Sequence, residues 1–133
     1  MTVLGLGVDI VLVARIARSL DEHGERFLSR VYTQRERCYA DKRPRRRAEH
    51  LAARFAAKEA ALKALGTGWR SGIAWTDVEV VNDAGGAPTL RVTGEAARIA
   101  DGKGVANWLV SLSHTTEQAI ATVLALEGGL NAS

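Results

Sequence analysis

From Leu51 to Leu65 every side chain except those of Arg54, Lys58, Glu59 and Lys63 is Ala, Leu or Phe. Alanine and leucine are strong helix formers and the run contains neither glycine nor proline, so the pattern predicts one unbroken helix. A helix that is apolar on nearly every side has little surface to offer water and must be enclosed by other elements. The four charges on it are costly. An isolated carboxylate taken out of water costs several kcal/mol, on the order of the net stability of a small domain, roughly 5–15 kcal/mol. Glu59 must therefore be paired, protonated or bound to a metal ion.

The flanking segments predict what encloses this helix. Val3 to Val11 is apolar, β-branched and punctuated by glycine, which suits a strand ending near Asp9, with that carboxylate at its mouth. Val13 to Leu20 reads as a helix with Ile16, Ala17 and Leu20 inward and Arg15 and Arg18 on another face. A second short helix, Glu25 to Val31, carries Arg26 and Arg30. Thr33 followed by Glu36 has the spacing of a capping box and opens a third helix, which the basic loop Lys42-Arg43-Pro44-Arg45-Arg46-Arg47 ends.

Downstream, Gly66-Thr67-Gly68 stops the long helix, because glycine accepts the left-handed conformation needed there. Trp75 to Val81 and Thr89 to Thr93, joined by turn residues Asn82 to Gly86, read as a hairpin. Glu95 to Asp101 reads as a short helix. In Trp108 to His114 a period of two sets Trp108, Val110, Leu112 and His114 on one face and Ser111 and Ser113 on the other, and Ala119 to Leu126 forms the last strand. Residues after Glu127 read as frayed. The order of strand, helices and then mostly antiparallel strands predicts an α+β fold, the long central helix packed on the sheet.

At 133 residues the chain is expected to be a single domain, 1–133. With 47% hydrophobic and 25% charged residues it has the composition of a soluble globular protein, and no apolar run approaches the ~20 residues that span a bilayer. Asp9 interrupts the first apolar stretch, so no signal peptide is expected and the cytoplasm is the expected compartment. Cys38 has no second cysteine to pair with and reads as a bystander thiol. The net charge of +3 is densest in the basic loop, which is either a solvated loop or a seat for a phosphate-rich or acidic ligand.

Glu59 and Lys63 stand one helical turn apart at the margin of the apolar face, where they form an i,i+4 ion pair or look into a cleft. Asp9 is the obvious second carboxylate, since two carboxylates with phosphate and water make a Mg²⁺ site; taken alone it would more commonly cap a helix. His114 after Ser111 and Ser113 reads as a strand-end residue more readily than as a hydrolase histidine, there being no Gly-x-Ser-x-Gly elbow. Gly5-Leu6-Gly7 lacks the third glycine of a dinucleotide fingerprint, and no Gly-x-x-x-x-Gly-Lys-Ser/Thr loop occurs.

Taken together, three ordered motifs resemble one family. Gly7-Val8-Asp9 with Arg15, the run Arg54-Phe55-Ala56-Ala57-Lys58-Glu59-Ala60 with Lys63-Ala64-Leu65-Gly66-Thr67-Gly68, and Ser111-Leu112-Ser113-His114 are similar to holo-acyl-carrier-protein synthases, the small bacterial type of 4'-phosphopantetheinyl transferase. The resemblance runs in register over nearly the whole chain, through Asp77-Val78-Glu79-Val80 and Gly86-Ala87-Pro88. It implies the 4'-phosphopantetheinyl transferase fold and transfer of the phosphopantetheine arm of coenzyme A to a serine of apo acyl carrier protein, in fatty acid biosynthesis, releasing adenosine 3',5'-bisphosphate.

By the same resemblance Asp9 and Glu59 are Mg²⁺ ligands that hold the pyrophosphate of coenzyme A, and Lys63 neutralises that phosphate and is a candidate to protonate the leaving group. Glu59 or a water on the metal takes the serine proton. Arg54, His114 and one of Arg45, Arg46 or Arg47 fall toward the 3'-phosphate and adenosine end, with Gly86 and Pro88 near the adenine and Gly66, Ser113 and Thr115 completing the coenzyme A site. Ala87 stands where relatives commonly have lysine. Arg15, Arg18 and Arg26 are implied to dock an acidic carrier protein, a step that salt should weaken. The family picture is a homotrimer with active sites between subunits. A nucleic-acid or protein adaptor working through a basic surface fits less well, because an anion binder gains nothing from Glu59 and only 5% of the residues are aromatic.

Overall fold

A computed structural model describes residues 2–70 and 72–128, in which the chain runs β1 (Val3–Leu12), α1 (Val13–His23), α2 (Glu25–Val31), α3 (Gln34–Asp41), α4 (Arg47–Leu65), β2 (Val78–Asn82), β3 (Pro88–Val92), α5 (Gly94–Gly102), β4 (Val105–His114) and β5 (Gln118–Glu127). The order of elements is the one the sequence predicts. Three strands form an antiparallel sheet in the order β1-β5-β4, and β2 and β3 form a separate antiparallel hairpin. The fold is α+β.

Helix α4 packs along the three-stranded sheet, and two glycines decide how closely. A Cβ added at Gly5 would stand 1.8 Å from the Ala64 carbonyl oxygen, and one at Gly7 the same distance from that of Ala60. Only glycine lets the β1 backbone lie directly against the helix. Alternate residues of a strand face the same side, so Asp9 continues the Gly5–Gly7 row toward α4. From below, Ala119, Ala121, Val123 and Ala125 of β5 are fully buried, matching small strand side chains to Ala56, Ala57 and Ala60 of the helix. The opposite face of the sheet remains open: Leu6, Val8, Ile10, Leu12, Leu109 and Ile120 are exposed.

A buried ion pair fixes α4 to the elements on its other side. Lys58 and Glu36 are both 0% exposed, with Lys58 Nζ donating to Glu36 Oε1 at 2.8 Å. The other ammonium protons go to the carbonyls of Trp75 (3.2 Å) and Val78, so all three donors are used. Glu36 Oε1 also accepts the capping bond from Thr33 N, and Oε2 accepts from Val80 N at 2.8 Å. Burial pulls the Lys58 pKa below the ordinary lysine value, against the Glu36 carboxylate, which raises it. The capping box of α3 thus also ties α3, α4 and β2 together.

Several boundaries differ from the sequence expectations. Strand β1 does not end at Asp9: pairing with β5 continues through Val11–Ala119 to Leu12–Gln118, and Asp9 sits mid-strand opposite Ala121. Asp9 is not a helix cap either, since Leu12 precedes α1 without a side-chain cap. The basic loop is half helical, with a 3-10 turn at Pro44–Arg46 and α4 beginning at Arg47. The predicted strand from Trp75 opens instead with a 3-10 turn at Trp75–Asp77, because the Asp77 carboxylate accepts from Ala74 N and Ala96 N. The fraying expected beyond Glu127 concerns mainly residues 129–133, which lie outside the described ones.

Candidate active site

Asp9 and Lys63 meet where β1 crosses α4. Lys63 Nζ donates to Asp9 Oδ1 at 3.1 Å and to the Val8 carbonyl at 3.0 Å. The lysine is half exposed and the aspartate mostly covered, with side-chain exposures of 51% and 16%. Glu59, one turn earlier on α4, is partly buried and bonds Trp69, whose Nε1 donates to Oε1 at 2.9 Å. The i,i+4 pair with Lys63 does not form. Lys63 thus bonds Asp9 and stands one helical turn from Glu59, and each carboxylate keeps one oxygen without a hydrogen-bond partner among the described residues.

A second cluster lines a cleft of about 150 Å³ between the N-terminal half of α4, the β2–β3 hairpin and the end of β4. It brings together Arg54, Pro88 and His114, three of the predicted coenzyme A residues, with His50, Tyr39 and Asn82, which the sequence did not single out. Arg54 is 2% exposed. Its guanidinium lies 4.0 Å over the Tyr39 ring and donates to Asn82 Oδ1 at 2.8 Å and to the His50 carbonyl. Nε has no hydrogen-bond partner among the described residues. A buried guanidinium with an unsatisfied N–H suits an anionic ligand.

His114 Nδ1 lies 2.9 Å from Glu49 Oε1, and since a carboxylate only accepts, this bond sets the ring's orientation. The His50 ring packs edge-on between Tyr39 and His114. Burial, and then the positive charge of Arg54, push the His50 pKa down to about 4. The clustering of Glu49 and His50 with His114, across the length of the chain, leaves no local signal in the sequence.

The remaining predicted residues are spread around these two clusters. Gly66 caps α4 with φ 77°, next to the turn that bears Lys63. Gly86 stands in the hairpin turn, its carbonyl accepting from Asn82 Nδ2. Ser113 is exposed beside Thr115, and both line a smaller cavity of about 120 Å³ with Ile10 and Ile120. The Thr115 hydroxyl accepts from the Glu117 and Gln118 amides, so it also builds the β4–β5 turn.

Arg15, Arg18 and Arg26 are exposed, and among the described residues none is in an ion pair. The Arg15 guanidinium lies 5.2 Å from the Phe55 ring centre. Phe55 stacks on Trp75 and Trp75 on Trp69, so a run of aromatic rings leads from Arg15 to the partner of Glu59.

Comparison with known proteins gives the family of the chain. The profile of the 4'-phosphopantetheinyl transferase superfamily matches residues 5–123. A holo-[acyl-carrier-protein] synthase of Koribacter versatilis is 48% identical over 122 residues, 92% of this chain and 97% of that protein. One of Desulforudis audaxviator is 50% identical over 125 residues, 93% of each. Among solved structures, the holo-[acyl-carrier-protein] synthase of Neisseria meningitidis superposes with a TM-score of 0.84 at 31% identity, over 95% of this chain and all of that one. That of Bacillus anthracis, solved in complex with CoA (3',5'-ADP), gives 0.79 at 34% identity over 96% and 100% of the two chains. With its motifs, fold and full-length relatives in agreement, the chain belongs to the 4'-phosphopantetheinyl transferase superfamily, within its holo-[acyl-carrier-protein] synthase family.

Proposed function

We propose that this protein transfers the 4'-phosphopantetheine group of coenzyme A to a serine of apo acyl carrier protein in a Mg²⁺-dependent reaction of fatty acid biosynthesis. The observation that carries this reading is the meeting of Asp9 and Lys63 beside Glu59, in a chain of this family. The serine hydroxyl attacks the β-phosphate of coenzyme A, the bond to the bridging pyrophosphate oxygen breaks, and adenosine 3',5'-bisphosphate leaves. Lys63 offsets the charge that grows on the leaving phosphate, and Glu59 serves the cation, the serine proton or both.

The donor set suits Mg²⁺, a hard cation commonly held by one or two carboxylates with substrate phosphate and water. Asp9 and Glu59 each have an uncommitted oxygen, and among the described residues no group of three or more His, Cys, Asp or Glu forms a closed cage. Bound there, Mg²⁺ supplies charge neutralisation and orientation of the transferred phosphate.

Arg54 and His114 take the 3'-phosphate end of coenzyme A, with Pro88 and Gly86 beside the adenine and Gly66, Ser113 and Thr115 at its margins. Arg15, Arg18 and Arg26 receive an acidic face of the carrier protein. A cleft of about 150 Å³ is small for such a ligand, since sites for molecules of drug size or larger are roughly 300–1,000 Å³. A second wall from a neighbouring subunit would complete it. The exposed apolar row on the outer face of β1, β4 and β5 also supports self-association, and we read the active form as a homotrimer with sites between subunits. The chain works as one domain, residues 1–133, in the cytoplasm; among the described residues no helix is long and apolar enough to cross a membrane.

The test is to incubate the protein with coenzyme A, apo acyl carrier protein and Mg²⁺ and to weigh the carrier by intact mass spectrometry. A gain of one phosphopantetheine that a chelator abolishes is the expected result. No gain with a folded enzyme and several carriers would overturn the proposal.

A further inference from the structure

Glu59 is held by a residue outside all three motifs. The Trp69 indole donates to Glu59 Oε1 at 2.9 Å, and it is the only hydrogen-bond partner of the Glu59 side chain among the described residues. Trp69 follows a turn in which Gly66 and Gly68 both have positive φ, 77° and 58°, which brings the chain back against α4. The indole is fixed by stacking. Its ring centre lies 3.7 Å from that of Trp75, and Trp75 lies 4.8 Å from Phe55, one turn before Glu59 on α4. The Trp75 carbonyl in turn accepts from buried Lys58.

The chemistry of this donor matters. An indole N–H only donates and carries no charge, so it can orient a carboxylate without neutralising it. Lys63, the cation one turn along, would neutralise Glu59 but is engaged with Asp9 and the Val8 carbonyl. The result is a carboxylate with one oxygen held by an uncharged donor and its second oxygen uncommitted.

We propose that Trp69 is a positioning residue for the transfer reaction, holding Glu59 Oε1 so that the other oxygen faces the divalent cation in a single orientation. The proposal rests on Glu59 being a ligand of that cation. Losing a hydrogen bond to a metal-ligating carboxylate typically lowers metal affinity about 10- to 100-fold.

Trp69→Phe keeps a ring for the stack and removes the N–H. In this variant the Mg²⁺ concentration giving half-maximal transfer should rise about tenfold or more, with the KM for carrier protein unchanged. A second readout does not depend on activity or on that variant folding. The chain has three tryptophans, hence three indole N–H signals in a ¹H–¹⁵N spectrum. The Trp69 signal, assigned as the one Trp69→Phe removes or by backbone connectivity, should move when Mg²⁺ and coenzyme A are added to the wild type. It should also move in Glu59→Gln before any metal is added. A Trp69→Phe enzyme with a Mg²⁺ requirement within twofold of wild type, or a Trp69 signal indifferent to Glu59→Gln, overturns the proposal while leaving the transferase assignment standing. If Glu59→Gln itself kept full Mg²⁺-dependent transfer, the role of Glu59 would fail and that of Trp69 with it.

Discussion

Lys63 and Asp9 lie 54 positions apart in the chain and pair at 3.1 Å, and this contact takes Lys63 away from Glu59, its neighbour one helical turn back. The close approach that Gly5 and Gly7 allow brings Asp9 to the helix. With Lys63 half exposed, solvent screens the pair, and it contributes about 0–1 kcal/mol. Lys63→Met and Asp9→Asn should therefore leave thermal stability within about that range. Transfer should nevertheless fall by a factor of about 100 or more, as when other groups that stabilise developing charge are removed. Loss of rate only in step with loss of folded protein would show the pair to be structural.

Lys58 reverses this expectation. Its side chain is 0% exposed and makes the only ion pair with Glu36 among the described residues. Breaking a buried pair from one side costs about 3–5 kcal/mol, because the remaining charge is left without compensation. Denaturant unfolding of Lys58→Met should show a loss of that size, and Lys58→Met with Glu36→Gln should recover part of it. A loss below about 1 kcal/mol would mean that the remaining donors, Thr33 N and Val80 N, satisfy Glu36 alone.

His50 makes stability depend on pH. Its pKa is about 4 in the folded protein and near 6.5 when unfolded, so between these values the unfolded chain binds more protons. Its contribution is complete above about pH 6.5 and is lost as the pH falls toward 4. The His50→Gln protein should show a flatter melting temperature against pH over that window. An unchanged profile would mean that other groups carry the acid sensitivity.

The arginines proposed to dock the carrier should act on encounter rather than chemistry. Arg18→Ala and Arg26→Ala should each raise the KM for carrier protein several-fold, leave kcat nearly unchanged and reduce the salt dependence of kcat/KM. Arg15→Ala should do so more strongly. If salt dependence were unaffected in the double variant, the acidic partner would be docking elsewhere.

Much of the fold is legible because the signals are local. The alanine-leucine run, the Thr33–Glu36 box and the Gly66 stop each act within one turn, and the structure has all three. The end of β1 was not legible, since whether a strand stops at Asp9 depends on how far β5 pairs with it. Asp9, Glu59 and Lys63 could be named from their motifs, but not the exchange of partners that joins Lys63 to Asp9 and Glu59 to Trp69. Glu36 illustrates the same limit: its capping role lies three residues away in sequence, and its salt bridge to Lys58 lies 22 away.

The most direct test of the account is Mg²⁺-dependent transfer by Glu59→Gln, beside the wild type and with folding checked by circular dichroism. The amide keeps the size of the side chain but loses the charge a cation requires. The account predicts a folded protein that no longer adds phosphopantetheine to the carrier at any Mg²⁺ concentration. A folded Glu59→Gln enzyme that transfers at the wild-type rate, with or without metal, would contradict it.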